Sequence, residues 1–411
     1  MTEQHCVIIG ASHAGVSLAM QLRREGWEGE ISLISSEREL PYQRPPLSKE
    51  YLAGEKDLDD ILLRPEKIFT ENSINLRLGL TALQLNTKEK LVKLSDGNTL
   101  QYGKLALCVG SIVRAIPFGK ALDNVFYIRT ANDISRIRPR IKEGKKAVII
   151  GGGYIGLETA AVLCKLGLEV TVIEMAERIL QRVTSEKMSN YIQSLHNREG
   201  VSFLTSTKIE GIEGKKAAEA VICQDGTTLS ADLVIVGVGV SPNIGLAEAA
   251  GLKVAQGIIV NEYSQTSDVD VFAAGDCTLH PNSTYGRMVR LESVQNANEQ
   301  ARHAAANICG KQKVYHAVPW FWSDQFKAKL QIVGLSQGFE ETIVRGDMSL
   351  KSDNGFALFY IQRGRVIAAD CVNRPKEFLA SKRLVKEGLR IPHEVLADQS
   401  IDPANLPSFA I

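Results

Sequence analysis

Two glycine-rich hexapeptides, about 140 residues apart, carry the clearest chemistry in this chain. The first, Gly10-Ala11-Ser12-His13-Ala14-Gly15, follows the apolar run Cys6-Val7-Ile8-Ile9. The second, Gly151-Gly152-Gly153-Tyr154-Ile155-Gly156, follows Ala147-Val148-Ile149-Ile150. A β-branched strand, a glycine turn and a helix start leave free backbone N–H groups where a pyrophosphate can sit. The second match to G-x-G-x-x-G is complete. The first has Ser12 at the middle position, where the residue must tolerate close phosphate approach or offer its hydroxyl. An ordinary strand-to-helix turn is the alternative for each motif taken alone. Two together imply two nucleotides held at once, a flavin that stays and a nicotinamide that visits.

Acidic residues stand at the expected distance from both turns. Glu174 lies about twenty residues beyond the second turn, after Val170–Ile173, where a carboxylate accepts hydrogen bonds from an adenosine ribose. Such a charge repels a 2′-phosphate and favours NADH over NADPH, with Arg178 close by as the opposing feature. Glu37, after Ser35-Ser36, would serve the first nucleotide in the same way or stand as a solvated acid. Gly275-Asp276, at the end of the strand-like run from Val271, supplies a third piece. An Asp in that setting hydrogen-bonds the ribityl chain of FAD in two-nucleotide flavoproteins; a plain turn Asp is the alternative.

These residues need a scaffold, and the hydrophobic pattern supplies one. The first unit reads strand Cys6–Ile9, a helix over about 14–25, and strand Ile31–Ile34. The second repeats it with a helix to about Leu166 and a strand Val170–Ile173. Further buried strands are expected in Leu105–Val109 and in the run from Asp232 to Gly239. From about Val318 the texture changes to short alternating segments, Lys329–Val333, Ala357–Ile361 and Arg365–Ala369, then a helix near Pro375–Lys386. The expected fold is therefore α/β, with two Rossmann-like dinucleotide-binding domains of the glutathione-reductase kind plus a C-terminal α+β domain. The expected boundaries are 1–113 with 239–317 for a discontinuous FAD-binding domain, 114–238 for the NAD-binding domain, and 318–411 for the C-terminal domain.

Composition narrows the partners. A net charge of +1 gives no global electrostatic case for nucleic acid or a membrane surface. No apolar run approaches the roughly 20 residues that span a bilayer, and the chain enters its first strand almost at once, so cytoplasm is the expected location. The seven cysteines include no C-x-x-C pair, which argues against a zinc site or an iron–sulfur cluster in this chain. Cys6 and Cys108 fall in strand-like apolar runs and read as buried, inert thiols.

At this point a family becomes recognisable. The chain resembles the FAD-dependent ferredoxin and rubredoxin reductases of oxygenase electron-transfer chains. Six separated motifs carry the resemblance: Arg44-Pro45-Pro46-Leu47-Ser48-Lys49, Gly151–Glu158, Gly275-Asp276, Glu292-Ser293-Val294, Pro319 to Gln325, and Cys371-Val372-Asn373-Arg374-Pro375. It implies FAD contacts from Ala14, Lys49, Ala82, Arg129, Asp276 and Val294, with Lys49 close to the isoalloxazine and Glu158 facing the nicotinamide. Gly10, Ser12, Gly15, Glu37, Arg44, Gly151, Gly153, Ile155, Gly156, Glu174, Gly239 and Trp320 complete the expected cofactor-binding residues. Lys49 and Glu158 would form an ion pair beside the flavin as hydride arrives. Ser12 in place of a glycine, Ala82 in place of a valine and Cys108-Val109-Gly110 in place of Ala-Thr-Gly depart from the family pattern.

The implied partner is a small acidic ferredoxin, [2Fe–2S] before rubredoxin, docking near Arg302, Trp320 and Trp322 on a monomer or weak dimer. Trp320 and Trp322 alternate, so on a strand they share a face. That face is either an aromatic exit for electrons or the core of the C-terminal domain. Arg302 is either a docking group or a solvated helix arginine. A disulfide- or peroxide-reducing flavoenzyme needs a cysteine against the flavin, and no cysteine lies between Cys6 and Cys108. An NADH sensor resembling apoptosis-inducing factor and an NADH oxidase are the remaining rivals.

Overall fold

Short runs of Val, Ile and Leu become parallel strands here because helices or further chain cover both faces of the sheet. The computed structural model describes residues 4–352 and 354–411 and divides into two compact units. The first comprises 1–43, 58–112 and 241–319. Its main sheet has five strands in the order Val271–Ala273, Lys104–Leu107, Cys6–Ile9, Ile31–Ile34, Ile74–Arg77, all parallel. Cys6–Ile9 and Ile31–Ile34 are buried at every position, as a central parallel strand requires. The helix His13–Arg24 packs through Leu18, Ala19 and Leu22 into the same core as Ala301, Ala304 and Ala305 of the helix Val294–Ile308. Alanines let the two helix backbones approach closely, and Ser17 Oγ donates to Asn298 Oδ1 across them at 2.6 Å.

The second unit comprises 44–57, 113–240 and 320–411. It repeats the parallel design in the order Ser202–Leu204, Glu169–Ile173, Lys146–Ile150, Leu233–Val236, Val125–Tyr127. A second five-stranded sheet is antiparallel: Trp320–Gln325, Ala328–Gly334, Arg365–Val372, Phe356–Gln362, Glu341–Gly346. Helix Glu186–Arg198 puts Met188, Ile192 and Leu195 into one core with Leu330, Phe356 and Leu358 of that sheet. One face of the C-terminal sheet therefore shares a hydrophobic core with the second nucleotide fold. The strands expected from sequence are present, with ends shifted by up to three residues: Leu105–Val109 becomes Lys104–Leu107, so Cys108 lies just past it, and Arg365–Ala369 extends to Val372.

Candidate functional site

Both glycine turns are built by the same steric rule. Gly10 and Gly151 have φ of 104° and 113°, a region that favours glycine. A Cβ on Gly10 would lie 2.2 Å from the Cys108 carbonyl oxygen, and one on Gly151 would lie 2.4 Å from that of Gly237. A Cβ on Gly15 would meet the Gly10 carbonyl oxygen at 1.8 Å, and one on Gly156 that of Gly151 at 2.2 Å. The first and last glycines are thus dictated by backbone packing. The middle ones are not. Gly153 has φ −83° and nothing within 4 Å of where a Cβ would stand, while Ser12 sits at the helix N-cap with φ −108°. Open space at a helix N-terminus is what a pyrophosphate needs, so the second turn fits a dinucleotide. The first fits one too, with Ser12 adopting backbone angles open to any residue.

The acids sit where the strands deliver them. Glu174 accepts from Gly152 N through Oε2 and from Ala176 N through Oε1, both at 2.8 Å, so the carboxylate braces the second turn. Arg178, the feature opposing NADH, is bound inward: it donates to Ser189 Oγ at 2.5 Å and to the carbonyls of Gln181 and Thr184. Ile155 projects with 45% exposure from the start of helix Tyr154–Lys165. Gly239 has φ 98°, and a Cβ there would lie 3.7 Å from Arg182 Nη2. In the first unit, Glu37 accepts from Tyr42 OH. Gly275 has φ 88°, its Cβ position is 3.2 Å from the Ala14 Cβ, and its N–H donates to Gln300 Oε1 at 2.8 Å. That brings Asp276 beside the first turn, where it accepts from Ser111 Oγ at 3.2 Å. Val294 opens the helix Val294–Ile308 next to the capping Ser293, and Ala82 begins a small antiparallel strand at an irregular register.

The remaining expected residues belong to the second unit. Arg44 Nη1 donates to the Arg129 carbonyl oxygen at 2.8 Å. Arg129 is held from its other side by Asp133 Oδ2, part of a capping box with Thr130. Lys49 and Glu158 are brought together: Nζ lies 2.7 Å from Oε2, with side chains 12% and 4% exposed. Ser48 Oγ donates to the same carboxylate oxygen at 2.6 Å, and Ser323 Oγ donates to Oε1 at 2.7 Å. A buried carboxylate is tolerable only when paired and hydrogen-bonded, and here three donors supply that.

The pyridine nucleotide-disulphide oxidoreductase model matches residues 4–301, and a reductase C-terminal model matches 320–406. The chain belongs to that oxidoreductase family. It is 43% identical over 403 residues to putidaredoxin reductase of Pseudomonas putida, covering 96% of this chain and 94% of the relative. It is 39% identical to the ferredoxin–NAD(+) reductase component of an anthranilate 1,2-dioxygenase system of Burkholderia cepacia, covering 98% of each. The crystal structure of a covalent putidaredoxin reductase–putidaredoxin complex superposes with a TM-score of 0.95 at 42% identity, covering 99% of this chain and 98% of that one.

Against the family's name, all seven cysteines are free. Burial pushes the Cys6 and Cys108 thiols up and holds Cys277 at about 12, so these are inert groups, not nucleophiles. No cluster of three or more His, Cys, Asp or Glu able to hold a metal occurs among the described residues. No helix among them is long and apolar enough to cross a membrane. Trp320 and Trp322 do share a face, with ring centroids 5.8 Å apart. Trp320 also meets the edge of Phe378, with Lys382 Nζ 4.4 Å from its ring, and both tryptophans remain half-buried. Arg302 is exposed on the helix Val294–Ile308.

Sequence reasoning missed Ser48 and Ser323 as partners of Glu158, and the Thr130–Asp133 box that fixes Arg129. The box had a local signature, Thr followed three residues on by an acid before a helix. Ser323 is 165 residues from Glu158, and nothing in its neighbours announces the contact.

Proposed function

We propose that this chain is an FAD-dependent reductase that takes hydride from NADH and passes single electrons to a small iron–sulfur ferredoxin feeding an oxygenase, either a Rieske dioxygenase or a cytochrome P450. The observation that carries the reading is the pairing of two sterically dictated nucleotide turns with a buried ion pair between Lys49 and Glu158, the latter on the helix that follows the second turn. Bound FAD supplies a hydride acceptor that releases two electrons one at a time. Gly10, Ser12, Ala14 and Gly15 would receive its pyrophosphate, and Asp276 its ribityl hydroxyls, with Glu37, Ala82, Val294, Arg44, Arg129 and Trp320 as further contacts. Gly151, Gly153, Ile155, Gly156, Glu174 and Gly239 would hold NADH.

In this reading Lys49 and Glu158 do the electrostatic work at the nicotinamide. Lys49 presents a fixed cation, and Glu158 orients it without leaving a buried charge uncompensated. Neither needs to exchange a proton. The inward bonding of Arg178 leaves Glu174 unopposed at the ribose and favours NADH over NADPH. We further infer three domains at 1–113 with 239–317, 114–238 and 318–411, a cytoplasmic monomer or weak dimer, and a [2Fe–2S] ferredoxin docking through Arg302, Trp320 and Trp322. The putidaredoxin complex of a relative supports a ferredoxin over rubredoxin.

Anaerobic stopped-flow tests the proposal. Mixing with NADH should bleach the flavin rapidly, and added [2Fe–2S] ferredoxin should then be reduced in stoichiometric amount. A stable long-wavelength complex that passes no electrons on would mean a sensor. Fast oxygen consumption without a partner would mean an oxidase. Purified protein that binds no flavin would end the proposal.

A further inference from the structure

The strand Trp320–Gln325 divides its side chains between two faces. Trp320 and Trp322 take one. Phe321, Ser323 and Gln325 take the other, and each meets an element of the second nucleotide fold. Phe321 packs on the Tyr154 ring with centroids 4.9 Å apart, Ser323 donates to Glu158, and Gln325 meets His196 of the helix Glu186–Arg198. The polar members form one directed chain. His196 Nε2 lies 2.9 Å from Gln325 Oε1, and a carbonyl oxygen only accepts, so the ring donates from Nε2. Gln325 Nε2 donates to Ser323 Oγ at 3.0 Å, which commits the serine proton to Glu158 Oε1 at 2.7 Å. Every dipole turns its positive end toward the carboxylate. Burial holds His196 down at about 4, so the chain begins on a neutral ring and adds no competing charge.

We propose that Ser323, backed by Gln325 and His196, is a positioning residue that holds the Glu158 carboxylate in place and aimed at Lys49, making the C-terminal segment part of the hydride site. The inference rests on the role given above to Glu158. Ser48 and Lys49 both serve Oε2, and Ser323 donates to Oε1. Lys49 from the loop and Tyr154 from its own helix are ionisable groups among the described residues that act on this carboxylate. The Tyr154 phenol is pushed up by burial and by the charges of Asp370 and Glu158 together with Tyr360, which keeps it neutral beside Glu158.

Ser323→Ala in the holoenzyme is the test, read in two ways. Isotope-edited infrared spectroscopy should show the Glu158 carboxylate stretching band shift as the hydrogen bond to Oε1 is lost. The rate of flavin reduction by NADH should fall roughly tenfold, with the apparent NADH affinity unchanged. Gln325→Met should shift both in the same direction by less, and Ser323→Thr should restore them. In a Glu158→Gln background, Ser323→Ala should change the rate no further. An unaltered carboxyl band, or an equal loss of rate with and without Glu158, overturns the proposal. If Glu158→Gln alone leaves hydride uptake intact, the role of Glu158 fails, while the infrared band still decides what Ser323 does.

Discussion

The first glycine turn carries Ser12 where the second carries Gly153, and the contrast separates two causes that a sequence fingerprint merges. In both turns the outer glycines are demanded by the protein's own backbone, through carbonyl oxygens that leave no room for a Cβ. In neither do the backbone angles demand glycine in the middle: both residues have ordinary negative φ, and the space beyond Gly153 is open. In the proposed function the middle position answers to a ligand. The following helices differ as well. Seven residues after its first glycine, the first turn has Ser17, spent on a helix–helix contact, whereas the second has Glu158, spent on a buried charge pair. In the proposed function one scaffold thus serves a tightly held nucleotide in one copy and hydride chemistry in the other.

The contrast can be broken most forcefully at the outer glycines. Gly15→Ala and Gly156→Ala should each cost at least about 3 kcal/mol, measured by denaturant unfolding. A mild effect at either site would show that the turns relax and the steric argument is wrong. Next in size, Glu158→Gln should slow flavin reduction by NADH roughly 100-fold in stopped flow. Ser17→Ala, the matching change in the first copy, should leave that rate alone. Glu174→Gln should raise the Michaelis constant for NADH roughly tenfold and narrow the gap to NADPH. An unchanged preference would remove Glu174 from the ribose site.

The middle positions give smaller changes of opposite character. Gly153→Ala should leave stability equal or about 0.5 kcal/mol higher, while raising the NADH Michaelis constant. Ser12→Gly should lose about 0.5–1 kcal/mol and retain its flavin. Matching losses of stability would mean that the protein, not the ligand, sets both residues.

A pH scan separates the copies by the least margin. Asp370 is fully buried and accepts from Tyr360 OH and Thr184 Oγ1 at 2.5 and 2.6 Å, and its charge acts on Tyr154 of the second turn. Burial raises its carboxyl from 3.8 to about 6. The folded protein therefore holds this proton more tightly than the unfolded chain does. Its contribution to stability is complete below about pH 4 and is lost as pH rises through about 6. Asp370→Asn should flatten the stability curve across that window, and an unchanged slope in urea midpoints would rule the carboxyl out.

Much of the fold was legible in the chain because it is written locally. Runs such as Val7-Ile8-Ile9 can only be buried strands, and a glycine pair bracketing a helix start fixes the turn between strand and helix. Glu174 was legible for the same reason, at a fixed distance from its turn. The C-terminal strands and the helix from Pro375 were legible from alternation and from proline at a helix start.

What the sequence determined by itself, then, were the two nucleotide turns, their strands and the acid beside the second, since each rests on residues within one βαβ unit. Only the tertiary structure decided which unit the segment 44–57 joins, and with it where Lys49 stands. It also decided that Ser48 and Ser323, 110 and 165 residues from Glu158, close around one carboxylate. The reason is physical. Periodicity reports which side of an element is buried, but the partner a buried charge finds depends on how distant elements pack, and a single serine leaves no trace of that in its neighbours.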